Sequence, residues 1–139
     1  MKQPEKAELT GAGAGPNLVL YRIILYVQNV QALKKFYRDT LGLSVVEEIE
    51  DSWVVLKAGQ CELALHVVGE AFRVPSRRSS ERHSNAKLVL GFRGDLAELR
   101  ERLIASGVPM REIKSYSGVS GPLCDGTDPE GNVFQLAQV

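Results

Sequence analysis

Five polar side chains interrupt stretches of this sequence that otherwise read as apolar strand: Arg22, Glu62, His66, Lys87 and Gln135. Their types allow three kinds of chemistry. His66 beside Glu62 could serve as a general base oriented by a carboxylate, making these two the catalytic candidates, although such a pair is more often a solvated strand feature. Glu62, His66 and Gln135 carry lone pairs that a metal could use, whereas Arg22 and Lys87 do not at neutral pH. Arg22 and Lys87 could instead receive an anionic oxygen, the first as a fork and the second as a point charge. Equally, both could pair with nearby acids and do no more than close a sheet.

The elements that must position these groups follow from hydrophobic periodicity. Residues 18–27 read as a strand; Asn29 can cap a helix whose apolar set is Leu33, Phe36, Tyr37 and Leu41, and Gly42 closes it. SVVEEIE, SWVVLKAG and CELALHVV then read as three short strands. The order repeats: AKLVLGF is a strand, Asp95 with Glu98 is a capping-box pattern, Leu96, Leu99 and Leu103 make a helical stripe, and Gly107 ends it. MREIKS, a strand around VSGPLCDG, a DPEGN turn and NVFQLAQV follow. Arg22 falls on Lys87, Leu25 on Leu90, Val27 on Phe92 and Gly42 on Gly107 at one constant offset, the mark of a duplicated supersecondary unit.

Alternation assigns the faces. Ile23, Leu25 and Val27 lie on the helix side of the first strand, leaving Arg22, Ile24 and Tyr26 opposite. Glu62, Ala64 and His66 take that second face in the fourth strand, Lys87, Val89 and Gly91 in the strand opening the repeat, and Val133, Gln135 and Ala137 in the last. A face apolar except for isolated polar groups predicts a solvated cavity, the usual form of a small-molecule site. An open face meeting water or a partner chain is the competing expectation. Trp53, Tyr26 and Tyr116 could line an aromatic pocket or simply pack, and Asp125 and Asp128 read as turn residues.

Composition narrows the function classes. The 139 residues, 44% hydrophobic and 24% charged, suit one globular domain, and seventeen basic residues against seventeen acidic give no overall field for nucleic acid or an anionic membrane. The Arg- and Ser-rich stretch 73–85 lacks interleaved aromatics and reads as a solvated linker or flap. Cys61 and Cys124 form no close-spaced motif. No secretory signal or membrane span is read, which points to a soluble, cytoplasmic protein. The expected organisation is a flexible tail over 1–17, a first module over 18–68, a loop over 69–85 and a second module over 86–139.

The run YRIILYVQNVQALKKFYRDTLGLSVVEE, followed by DPEGNVFQL, resembles the vicinal oxygen chelate superfamily of glyoxalase I, extradiol dioxygenases, fosfomycin-resistance enzymes and bleomycin-binding proteins. The resemblance implies an α+β fold of two tandem βαβββ modules forming a curved mixed sheet around a cavity, with dimers common. It also implies a divalent ion, in the metal-dependent members, held at positions that fall here on Arg22, Ala64, Lys87 and Gln135. Only Gln135 among these has a donor atom, and each nearby cation would oppose the ion by about 4 kcal/mol per unit of ion charge at 4 Å and an effective dielectric near 20. No metal or other cofactor is therefore expected.

The expected ligand-binding cavity comprises Arg22, Ile24, Tyr26, Ala64, His66, Lys87, Val89 and Gln135. The function expected is metal-free binding of a small organic, anionic ligand by a homodimer. The alternatives are a metal-dependent glyoxalase- or dioxygenase-like enzyme with a non-standard site, and a non-catalytic interaction module.

Overall fold

The computed structural model describes residues 17–74 and 84–139. The tail expected over 1–17, apart from Asn17, and the greater part of the Arg- and Ser-rich loop fall outside the described residues. β1 (Arg22–Val27) leads through Asn29, whose side chain accepts from Ala32 N, into α1 (Val30–Lys35). The helix widens into a π turn over Phe36–Thr40, where Leu41 N donates to Phe36 O, before Gly42 takes a left-handed φ of 80°. β2 (Ser44–Ile49), β3 (Trp53–Ala58) and β4 (Cys61–Val67) complete the first module. In the second, β5 (Leu88–Phe92) precedes α2 (Leu96–Ala105), β6 (Leu123–Thr127) and β7 (Val133–Gln138). Asp95 caps α2 by accepting from Ala97 N and Glu98 N.

The strands form two mixed sheets, β1-β4-β3-β2 and β5-β7-β6. The fold is α+β. One expected strand is missing from the second sheet: MREIKS makes only isolated bridges, Met110 to Gly126 and Lys114 to Leu123. Its side chains alternate too weakly to hold a ladder, with Arg111, Glu112 and Lys114 all turned to water.

One core serves both modules. Val27, Leu33, Leu56 and Leu65 from the first are buried in the same cluster as Leu96, Leu103, Phe134 and Leu136 from the second. The widened turn of the first helix makes the junction, because Phe36 packs on Phe134 with ring centroids 5.8 Å apart. Beside it Tyr37, with no exposed surface, donates its hydroxyl to Asp128 Oδ2 at 2.7 Å. Asp128 is only 3% exposed, and it also accepts from Glu130 N, Asn132 N and Asn132 Nδ2 at 2.8–2.9 Å. Burial first, and then the adjoining carboxylate, push the Tyr37 phenol far above its ordinary range. Glu130 reaches back to accept from Gln28 N and Asn29 N at the entry to α1. The DPEGN turn therefore clasps the two modules together.

Candidate functional site

On the first sheet, register places the non-helix face in rows across β1, β4 and β3: Arg22–Glu62–Lys57, Ile24–Ala64–Val55, and Tyr26–His66–Trp53. In the first row Arg22 Nε and Nη2 both donate to Glu62 Oε1, at 3.0 and 2.8 Å. That bond raises the arginine above its ordinary value. In the third row the Tyr26 and His66 rings lie 5.4 Å apart and His66 meets Trp53 edge-on at 5.7 Å. The indole leans out of its own row: Nε1 donates to Glu47 Oε2 at 2.7 Å, and the Arg22 guanidinium sits 5.4 Å from the ring. It thus reaches toward the first row, and in the middle row Val55 and Ala64 have no exposed surface.

His66 and Glu62 share this face but do not form a pair. Glu62 is engaged by Arg22, while His66 Nδ1 lies 2.6 Å from the carbonyl of Val67 on its own strand. The base-and-orienter arrangement is not assembled here.

The second sheet centres on a residue that sequence reading placed in a turn. Asp125 lies within β6 opposite Gln135, with its side chain 15% exposed. It accepts from Lys87 Nζ at 2.8 Å and from Gln135 Nε2 at 3.0 Å, and Arg111 stands 3.8 Å away. Partial burial pushes its carboxyl up, but the bonds from Lys87 and Gln135 outweigh that and hold it below the usual carboxylate range. The signal was present in LCDGT, where Cys124 and Gly126 are buried and Asp125, between them, faces the other way. The proline and glycines just before it masked that alternation.

Between the sheets runs a cleft of about 530 Å³. Ile23, Ile24 and Leu25 give it apolar surface from the first sheet, and Leu88 and Val133 from the second; Lys87, Arg111, Asn85 and Asn132 add donors. Of the cavity residues expected from sequence, Ile24 and Lys87 line it. Arg22, Tyr26 and His66 gather on the first sheet, Val89 stands opposite Gln135 on the second, and Ala64 is sealed beneath its neighbours. Asp125, Arg111 and Asn132 are the additions that the structure makes.

The Glyoxalase/Bleomycin resistance protein/Dioxygenase superfamily profile matches residues 19–136. The chain belongs to this superfamily. Solved structures agree on the fold. A lactoylglutathione lyase from Agrobacterium tumefaciens superposes with a TM-score of 0.66 at 23% identity, covering 89% of this chain and 96% of that one. TnmS3, an antibiotic binding protein from Streptomyces sp. CB03234, gives 0.65 at 22% identity over 87% and 95%. A glyoxalase-related enzyme from Fulvimarina pelagi gives 0.66 at 20% identity over 87% and 88%. No curated protein matches the chain in sequence.

The superfamily's divalent ion does not suit the residues present. Arg22 and Lys87 offer no lone pair, Ala64 has no donor and is covered, and Gln135 turns its amide nitrogen to Asp125. The nearest carboxylates, Glu62 and Asp125, are already bonded to Arg22 and Lys87. Among the described residues no three His, Cys, Asp or Glu side chains converge as a metal would require.

Proposed function

We propose that this superfamily member binds a small organic anion between its two sheets without a divalent metal. The observation that carries the reading is the cleft itself, whose volume lies within the range of roughly 300–1,000 Å³ usual for small-molecule sites. Its apolar surface takes a hydrocarbon body, and Lys87, with a side chain 42% exposed, remains open to a carboxylate or phosphate oxygen from the solvent side. The ion pairs at the family's metal positions support the metal-free part of the reading, and the likeness to an antibiotic binding protein supports a small organic ligand.

A thermal-shift series with small carboxylates and phosphates, run on the wild type, Lys87→Ala and Arg22→Ala, tests the site. The expected result is stabilisation of the wild type that Lys87→Ala loses and Arg22→Ala largely keeps, since Arg22 does not line the cleft. No stabilisation of the wild type by any anion refutes it. Incubation with Ni, Zn, Fe and Mn followed by elemental analysis tests the second half, and stoichiometric metal whose removal lowers the melting temperature overturns it.

The reading takes the working unit to be a homodimer, supported by the exposure of Ile24, Tyr26 and Val89 at 41%, 66% and 56%. Light scattering that gives the monomer mass at all concentrations would refute that assignment.

A further inference from the structure

The cleft wall has an unusual composition: Ile23, Ile24 and Leu25 are consecutive, as are residues 84–88 on the opposite side. A wall made from one face of a sheet would draw on alternate residues. On β1, consecutive lining means that the strand edge forms the wall, whereas residues 84–87 line the cleft as the coil that leads into β5. The ladder bonds show which groups are involved. Glu62 N donates to Tyr21 O and Val68 N donates to Val27 O, so odd-numbered residues of β1 turn both backbone groups toward β4. The N–H and C=O of Arg22, Ile24 and Tyr26 point away from the sheet. On β5, Val139 N donates to Phe92 O, so Lys87, Val89 and Gly91 point theirs outward by the same rule. The outward edge of β1 thus borders the cleft, with Lys87 and Leu88, at the start of β5, across from it.

We propose that the ligand of this cleft carries a secondary amide beside its anionic group, the chemical class of N-acyl amino acids and short acidic peptides. The inference rests on the small-anion reading above and names its ligand class. The carboxylate lies against Lys87, the apolar side chain against Ile24, Leu88 and Val133, and the amide pairs with the outward N–H and C=O of Ile24 as an added strand would. A backbone edge supplies a donor and an acceptor at fixed spacing, which a plain hydrocarbon carboxylate cannot use.

The test uses three probes on the full chain: N-acetyl-leucine, its N-methylated amide analogue and 5-methylhexanoate. The first binds about three- to tenfold more tightly than the other two, the range that one net hydrogen bond confers. It also slows hydrogen exchange at the Ile24 amide. Ile24→Pro deletes that outward N–H, and the position tolerates proline because the N–H does not face β4. It removes the advantage of N-acetyl-leucine, while Ile24→Val keeps it. Should Ile24→Pro fail to fold, the wild-type probe series and the exchange measurement still decide. Equal binding of all three probes with unchanged exchange at Ile24 overturns the amide class and leaves the anion site standing. No binding of any probe at millimolar concentration overturns both.

Discussion

Replacing Asp125 by Asn should tighten the hold of this protein on a small carboxylate. Asp125 accepts from Lys87 Nζ at 2.8 Å, so an incoming carboxylate on the free side of that ammonium lies roughly 5 Å from the Asp125 charge by contact geometry. Repulsion at that separation is about 3 kcal/mol at an effective dielectric of 20 and about 1 kcal/mol in bulk water. Lys87 is 42% exposed and Asp125 15%, which places the pair between those limits. Asn keeps the shape and leaves Gln135 a carbonyl to donate to, so the gain expected is roughly 5- to 150-fold in affinity. Isothermal titration with 5-methylhexanoate at low and high salt measures it, and the gain should shrink as salt screens the charges. Unchanged or weaker binding would refute the reasoning, because it would make Asp125 the group that holds Lys87 in place rather than a rival for it.

Three further outcomes follow from the same contacts. Tyr37→Phe removes one bond to a buried carboxylate that keeps its other donors, and urea unfolding should show a loss of about 1.5–3 kcal/mol; a loss under 0.5 kcal/mol would mean that the clasp does not join the modules. Because the folded pKa of Asp125 is depressed from 3.8, its contribution is present above that value and disappears as pH falls through the lower folded value. Acid unfolding of Asp125→Asn should accordingly show a shallower loss of stability below about pH 4 than wild type, and superimposable profiles would count against the Lys87 and Gln135 bonds. Arg22→Met should cost less than about 1 kcal/mol, since its pair with Glu62 is part-exposed, at 27% and 22%, and solvent screens it; a cost above 2 kcal/mol in chemical denaturation would show the pair to be a structural necessity.

Much of the fold was legible because burial imposes a period. Leu33, Phe36 and Tyr37 recur at helical spacing and are buried, and Leu63 and Leu65, like Phe134 and Leu136, alternate as strand residues must. Asn29, Asp95, Gly42 and Gly107 marked the helix ends correctly, since capping and left-handed geometry select few residue types. The site was less legible, because its key relations cross between strands. Nothing local to LCDGT tells Asp125 that Lys87 and Gln135 will be its neighbours; only the β5-β7-β6 order does. Trp53 could likewise be recognised as a strand aromatic, but its lean out of its own row depends on Glu47 from β2 and Arg22 from β1. The widened turn after α1 left no trace in the apolar pattern, which fits an ordinary helix equally well.

The clasp around Asp128 and Glu130 separates the repeat seen in the sequence from the unit that folds. Glu130 satisfies the backbone donors of Gln28 and Asn29, and Tyr37 surrenders its hydroxyl to Asp128, across gaps of about ninety to a hundred residues. Each half thereby carries part of the other's hydrogen-bond inventory. A first module expressed alone would expose Phe36 and strand the Tyr37 hydroxyl, while a second alone would bury the Asp128 charge one donor short. The two halves share a strand-helix opening and a last strand parallel to the first, yet the second has one strand fewer and they are not interchangeable parts. The repeat in the sequence and the unit that holds together are thus different things: the shared core and the clasp make the pair of halves, not the half, the structural unit.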